Sequence, residues 1–278
     1  MCIYRTLLVA QKKNKDRKTL YLSYPIYFKE VVKILLGWAG GDPNKPDKYG
    51  RTLLLYAAER GHEEMVEILL GRKEVNPDKP DIEGRTPLSY AAQKMYLEAL
   101  FRRAEVNPDK TDNDGGTPLP STAASRHEKV VKILLSREDV NPDKPDNHGR
   151  TPLSHASEGG NQKVVKIPLG RENINPDTPD NGGRTPLAYA ATSWYEGVVE
   201  ILLEQEEVNP DKPDNGGRTP LSYAAKEGRE GVVKILLGRE DVNPDQPDNN
   251  GKTPLMGVGW WRVEGIKALL QAYSLTGS

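Results

Sequence analysis

The stretch Val75-Asn-Pro-Asp-Lys-Pro-Asp81 decides the fold of this chain, because it returns nearly unchanged along the sequence. Its later copies start at Val106, Val140, Ile174, Val208 and Val242. The first two starts are 31 residues apart (106 − 75), and every later interval is 34 residues, as in 140 − 106. A fixed period in this range predicts a solenoid, in which each repeat contacts only its neighbours.

The repeat Gly217–Asn250 shows the local pattern most completely. Thr219 followed by Pro220 predicts a helix start, because the Thr hydroxyl can accept a bond from an N–H of the first turn and Pro fits the first helical position. Gly228 separates this first helix from a second apolar run at 232–237, which predicts a second helix. The Asn-Pro that follows is extended, because a residue before proline is disfavoured in the helical region. Each repeat is therefore predicted to be helix, turn, helix and projecting loop.

These residues resemble the ankyrin repeat, which combines a Thr-Pro-Leu helix start, paired alanines, a Gly-His turn and a Val-Val second helix. Thr-Pro-Leu stands at residues 86, 117, 151, 185, 219 and 253, and Gly-His is intact at Gly61-His62. A variant start is Thr52-Leu53-Leu54, and a degenerate first unit is recognisable at residues 31–36. The two-proline loop is similar to that of repeats appended to fungal intracellular receptor-like NTPases.

The resemblance implies an all-α fold, an ankyrin-repeat solenoid of about seven to eight helix-turn-helix units with projecting loops. The array is expected over residues 17–270, with units starting near 17, 50, 84, 115, 149, 183, 217 and 251. Residues 1–16 are expected to form a basic, poorly ordered N-terminal segment, and residues 271–278 a C-terminal tail.

Composition and charge narrow the classes of function. The formal net charge is −1, and the first 18 residues carry +5 (six Lys or Arg against Asp16), which leaves −6 for the rest. A mildly acidic array argues against nucleic-acid binding, which needs a basic face. The sequence has no apolar run of membrane-spanning length, and its single Cys2 can form no internal disulfide. A cytoplasmic location is expected, with the Lys run at 12–15 read as a solvated linker or as a nuclear-import signal.

Catalysis and metal binding find little support in the sequence. The four histidines lack metal-ligand spacing, and no Gly-rich motif that could cradle a phosphate is present. Most Asp residues lie in loops, where they act as turn formers. We therefore expect no enzyme activity, no cofactor and no metal.

Candidate partner-binding residues occupy two variable positions of the repeat, which the resemblance places on the recognition face. The first position, at the loop tips, holds Lys48, Tyr49, Ile82, Glu83, Asn113, Asp114, Asn147, His148, Asn181 and Asn215. The second position, at the end of the first helix, holds Glu59, Arg60, Gln93, Lys94, Thr192, Ser193, Lys226 and Glu227. In the last repeat, Trp260 and Trp261 are candidates either for a partner surface or for a plug over the open end of the core.

Other positions leave alternatives open. A column of Tyr56, Tyr90, His155, Tyr189 and Tyr223 either lines a groove or packs between repeats. A row of Arg51, Arg85, Arg150, Arg184, Arg218 and Lys252 either binds anions or pairs with acidic residues of adjacent loops. Pro168 in a second helix is either a hinge or a tolerated lesion. Trp194, at a turn, is expected to pack under a neighbouring layer.

The resulting hypothesis is a non-enzymatic scaffold that binds a protein partner of unknown identity through its loop tips and groove. The alternative is the ligand-sensing C-terminal segment of a larger intracellular signalling NTPase. An upstream NTPase reading frame would favour the second hypothesis.

Overall fold

The computed structural model describes residues 42–171, 174–258 and 263–276, and every regular element in these ranges is an α-helix. The chain forms two compact units, the first ending at Asp112 and the second beginning at Asn113. The predicted first repeat up to residue 41, with the basic N-terminal segment, lies outside the described residues, as do Trp260 and Trp261. Seven helix pairs are present in the described part of the chain.

The first unit contains two helix pairs, α1 (Leu53–Glu59) with α2 (Glu63–Leu70) and α3 (Pro87–Lys94) with α4 (Glu98–Phe101). The second unit contains five pairs. Their first helices are α5 (Pro118–Ala124), α7 (Pro152–Gly159), α9 (Pro186–Ala191), α11 (Pro220–Lys226) and α13 (Pro254–Gly257). Their second helices are α6 (Glu128–Leu135), α8 (Gln162–Leu169), α10 (Glu196–Leu203), α12 (Glu230–Leu237) and α14 (Val263–Thr276).

The first helices begin where the Thr-Pro pattern predicted. In five of them the Thr hydroxyl oxygen accepts a hydrogen bond from the backbone N–H three residues later, at 3.2–3.3 Å. These Thr residues are Thr52, Thr86, Thr151, Thr185 and Thr219. Pro follows four of them at the first helical position. It costs no hydrogen bond there, because the N–H of that position has no partner within the helix.

The core lies between two rows of helices in each unit. In the second unit α5, α7, α9, α11 and α13 pack side by side, and α6, α8, α10, α12 and α14 form the other row. In α12 the side chains of Val232, Val233, Leu236 and Leu237 are buried, at the spacing of one helix face. The paired alanines of the first helices are also buried, and their small side chains let neighbouring helices approach closely.

Three irregular places modify this pattern. The repeat from residue 84 is three residues short, and its second helix α4 has four residues where α2 has eight. Its turn passes through Met95 with φ 65, a left-handed conformation that three other described repeats give to glycine, at Gly61, Gly160 and Gly228. This repeat ends at the boundary between the two units.

Pro168 is buried and is the seventh residue of α8, which keeps the eight-residue length of α6 and α10. A proline this close to the helix end removes one backbone bond without shortening the helix. The helix length gives no indication of a hinge. At the other end of the chain, α14 continues to Thr276. The array was predicted to end at residue 270, and α14 runs six residues further (276 − 270), through a stretch that contains neither Gly nor Pro to stop a helix.

Candidate recognition surface at the loop tips and first helices

Each projecting loop is built around one aspartate. The Oδ1 atom of Asp214 accepts backbone N–H bonds from Gly216 and Arg218, both at 2.8 Å. Its Oδ2 atom accepts the hydroxyl of Tyr223 at 2.6 Å. Asp47, Asp81 and Asp180 hold the corresponding tyrosines at 2.6–2.8 Å, and Asp146 holds His155 at 3.0 Å. The Tyr and His column therefore anchors each loop to the first helix that follows it, through a bond between residues nine positions apart.

The pKa values of this anchor follow from burial and from its hydrogen bonds. Burial, and then the hydrogen bond to Asp214, raise the pKa of Tyr223 to about 12. Burial also acts to raise the pKa of Asp214, but the bonds from Tyr223 and from Arg218 outweigh it and keep that pKa below its ordinary value. At neutral pH the anchor is thus a phenol donating to a carboxylate.

The arginines of the row contact acidic and aromatic side chains of their own repeat and of the next repeat. The guanidinium groups of Arg85, Arg150 and Arg218 lie 3.2, 3.1 and 2.7 Å from the anchoring Asp of the same loop. Arg184 lies between the rings of Tyr189 and Tyr223, 4.5 and 4.7 Å from their centroids. The pairing interpretation holds, but the acceptor belongs to the same loop and not to the adjacent loop that the sequence had suggested.

Asparagine side chains join successive loop tips in the second unit. The side-chain amides of Asn147, Asn181, Asn215 and Asn249 each donate to the backbone carbonyl of the tip residue 34 positions earlier, at 2.9–3.1 Å. Their backbone N–H groups donate to the carbonyl of the next residue in that earlier loop, at 2.9 Å. We refer to these four residues as the asparagine ladder. Three of them had been predicted as partner contacts, and the structure gives their amides a role in holding the loops together.

The ladder depends on glycine in the loop before it. Gly183 and Gly217 have φ angles of +83° and +81°, which L residues with side chains rarely adopt. A Cβ atom there would lie 2.6 and 2.7 Å from the backbone nitrogens of Asn215 and Asn249. Positive φ and close approach together require glycine at these two positions.

The first unit has no asparagine at its tips. Ile82 donates its backbone N–H to the carbonyl of Tyr49 at 3.0 Å, so the two tips are adjacent. Their side chains remain 49% (Tyr49) and 63% (Ile82) exposed. The ammonium of Lys48 lies 4.9 Å from the Tyr49 ring centroid, and Glu83 forms an ion pair with Arg85 at 2.5 Å. These two tips present apolar surface beside positive charge.

The remaining candidates differ in how accessible they are. The exposed candidates are Arg60, Gln93, Lys94, Asn113, Asp114, His148, Lys226 and Glu227. Glu59 is half-buried and lies 3.8 Å from Arg51, and Thr192 donates its hydroxyl to the carbonyl of Tyr189 at 2.8 Å. Ser193 is half-buried. Trp194 is 57% exposed, so the expectation that a neighbouring layer covers it is wrong. The guanidinium of Arg229 stacks on its ring.

Within residues 42–171, 174–258 and 263–276, no three His, Cys, Asp or Glu side chains come together in a way that could hold a metal ion. The same ranges contain no helix that is both long and apolar enough to cross a bilayer.

Comparisons with known proteins agree with this geometry. The family model described as "Ankyrin repeats (3 copies)" matches residues 22–102, 96–180, 140–214, 169–248 and 206–274. Among solved structures, the ankyrin repeat domain of Bcl-3, described as a unique member of the IkappaB protein family, superposes with a TM-score of 0.66 at 22% sequence identity. That match covers 81% of this chain and 100% of the Bcl-3 domain. The search of curated proteins found no match.

Proposed function

This chain belongs to the ankyrin-repeat family, and we propose that it is a non-enzymatic scaffold that binds a protein partner through its loop tips and the ends of its first helices. Ankyrin repeats are generally protein–protein interaction modules, and the fold is typically non-enzymatic. The proposed partner is a protein, with neither a nucleic acid nor a metal involved, and the proposed location is the cytoplasm.

The observation that carries the proposal is the pair of exposed side chains at the adjacent tips in the first unit. Tyr49 and Ile82 are neighbours through a backbone hydrogen bond, and about half or more of each side chain is exposed. Aromatic and aliphatic side chains are favoured at the centre of protein interfaces, where their burial drives association. The ladder asparagines of the second unit offer no comparable apolar area.

The loops that carry these side chains are already ordered. Asp47 accepts the backbone N–H groups of Tyr49 and Arg51, both at 2.9 Å, and Asp81 does the same for Glu83 and Arg85 at 2.9 Å. A partner that docks on such tips orders little additional backbone, so less conformational entropy is lost on binding. The mechanism is surface presentation on a preformed scaffold.

A comparison of recovered partners tests this proposal. The wild-type chain and the double variant Tyr49→Ser with Ile82→Ser would be used for proximity labelling in the same cells. Tyr273→Ser is the matched control, because it removes an exposed aromatic side chain (41%) from α14, a second helix outside the proposed surface. We expect partners that the wild type and the control retain to be lost from the double variant, with unchanged helical circular dichroism. A double variant that keeps every partner would contradict the proposal.

A further inference from the structure

A second cluster of aromatic and cationic side chains lies at the turn between α9 and α10, away from the loop tips. Its centre is the dipeptide Trp194-Tyr195, which stands where an intact repeat has Gly-His. Arg229, from the following repeat, contacts Trp194, and Arg126, from two repeats earlier, contacts Tyr195. We call these four residues the turn-edge cluster.

Arg229 is held against Trp194 by two contacts. Its guanidinium carbon lies 4.0 Å from the Trp194 ring centroid, and its Nε–H donates to the carbonyl of Thr192 at 2.8 Å. The two terminal nitrogens of Arg229 make no hydrogen bond within the described residues, so they keep their donors for another molecule. The Trp194 side chain is 57% exposed beside them.

Arg126 is held in a similar way on the other side of the dipeptide. Its Nε–H donates to the carbonyl of Gly159 at 2.7 Å, one terminal nitrogen donates to the Tyr195 hydroxyl, and its guanidinium carbon lies 5.0 Å from the ring centroid. Gly160 makes this possible, because a Cβ atom there would overlap the Tyr195 ring. Arg126 itself has φ 63, a conformation uncommon for a residue with a side chain.

We infer that the turn-edge cluster is a second docking surface, and that it binds an extended protein segment rich in Asp and Glu. Trp, Tyr and Arg are the residue types that dominate binding energy at protein interfaces. A guanidinium already stacked on a ring and fixed through its Nε–H presents its remaining donors in a fork that matches a carboxylate. Arg229 beside the exposed Trp194 keeps both terminal nitrogens for a carboxylate, and Arg126 beside Tyr195 keeps one, so acidic side chains can pair at both residues of the dipeptide.

The acidic residues near Arg126 and Arg229 do not neutralise the two guanidinium groups, because they have other partners or positions. Glu230 forms an ion pair with Lys234 along α12 at 2.7 Å. The Glu196 carboxylate lies against Gly231 on α12, in space that a larger residue would fill. Lys226 and Glu227 are both exposed beside Arg229, and their formal charges cancel.

Peptide binding to the intact chain tests the inference. The probe is a short fluorescein-labelled peptide in which Glu alternates with Leu, compared by fluorescence anisotropy with its Gln counterpart. We expect the Glu peptide to bind and the Gln peptide to fail, with affinity that falls as salt rises. Trp194→Ala and Arg229→Gln should each weaken binding by about tenfold. Arg229→Lys should weaken it as well, because Lys keeps the charge but loses the planar fork.

Arg137→Gln is the matched control, because it removes the same charge from an arginine of the second unit that pairs with Asp139 and takes no part in the turn-edge cluster. It should bind like the wild type, and so should the loop-tip double variant. The inference would be overturned by equal binding of the Gln peptide, by an equal loss in the Arg137 control, or by no measurable binding of the Glu peptide to the wild type.

Discussion

The side-chain amide of Asn215 donates to the backbone carbonyl of Asn181 at 3.0 Å, across the gap between the loops of successive repeats. Both residues lie at exposed tips, where the sequence alone suggests partner contacts. The bond explains why the same residue type recurs at these tips. It also means that side chains join the tips in the second unit, whereas a backbone hydrogen bond joins Ile82 to Tyr49 in the first unit.

Replacing one ladder asparagine should therefore lower stability. In Asn215→Asp the amide donor becomes a carboxylate oxygen that faces the Asn181 carbonyl, so a hydrogen bond is replaced by repulsion. We expect a loss of about 1 kcal/mol in the free energy of unfolding, measured by urea denaturation at neutral pH. Asn250→Asp makes the same change in the following loop, at the residue after the ladder residue Asn249. Asn250 is outside the ladder, so this variant should leave stability nearly unchanged. Equal losses in the two variants would show that the ladder bond contributes nothing.

The glycine that precedes the ladder can be tested with a pair of alanine variants. Gly217→Ala would combine a positive φ with a Cβ atom 2.7 Å from the backbone nitrogen of Asn249. Gly251 also has a positive φ, +73, but a Cβ atom there would meet no other atom within 4 Å. Gly251→Ala should cost about 1 kcal/mol for the backbone conformation alone, and Gly217→Ala clearly more. Urea unfolding of both variants isolates the contribution of the close approach. A Gly217→Ala loss no larger than that of Gly251→Ala would contradict the contact.

The aspartate anchor should also contribute to stability. Tyr223→Phe removes the hydroxyl that donates to Asp214 at 2.6 Å and leaves a buried carboxylate with one fewer donor. We expect a loss of about 1 to 2 kcal/mol at pH 7. Tyr49→Phe, at an exposed tip, removes a hydroxyl that makes no such bond in the described part of the chain and should be neutral.

The same anchor sets the limits of pH stability. The pKa of Asp214 is lowered in the fold, so its contribution is present above its ordinary pKa of 3.8 and is lost as the pH falls through the folded value. The pKa of Tyr223 is raised to about 12, so its contribution is lost as the pH rises from its ordinary pKa of 10.0 towards that value. In Tyr223→Phe the acid unfolding midpoint should move to higher pH, and a midpoint unchanged from the wild type would contradict the anchor.

His155 introduces a pH dependence that the tyrosines lack. Burial lowers its pKa below the ordinary value of 6.5, against the opposite effect of its bond to Asp146. The unfolded chain therefore binds the proton more readily, and stability should fall as the pH decreases from about 6.5 towards the lower folded value. His155→Tyr, which restores the residue of the other repeats, should reduce this fall when urea midpoints at pH 5 and pH 7.5 are compared. An unaltered difference between the two midpoints would rule out His155 as the cause.

The helices follow from sequence because their determinants are local. Thr219 and Pro220 fix a helix start within a few residues, and Val232 and Leu236 mark the buried face of the next helix. Residues 271–276 carry no stop signal, and α14 continues through them past residue 270, where the array was predicted to end. The local pattern thus predicts the existence of a helix more reliably than it predicts the residue at which a terminal helix ends.

The roles of surface residues depend on partners distant in sequence. The Asn215 side chain meets a carbonyl 34 residues away, and nothing in its local sequence separates a ladder residue from a partner-binding one. Recurrence of Asn at the repeat period was the available signal, because a specificity position is expected to vary between repeats. The stacking of Arg229 on Trp194 joins residues 35 positions apart (229 − 194), a contact that local sequence does not encode.

Site-specific photo-crosslinking tests the central claim most directly. Ile82 and Glu67 would each be replaced by p-benzoylphenylalanine, the first at an exposed tip and the second on the exposed side of α2 in the same unit. If the loop tips hold a protein partner, irradiation in cells should give discrete crosslinked proteins from position 82 and far less product from position 67. Equal products from the two positions, or none from position 82 with the folded protein present, would contradict recognition through the loop tips.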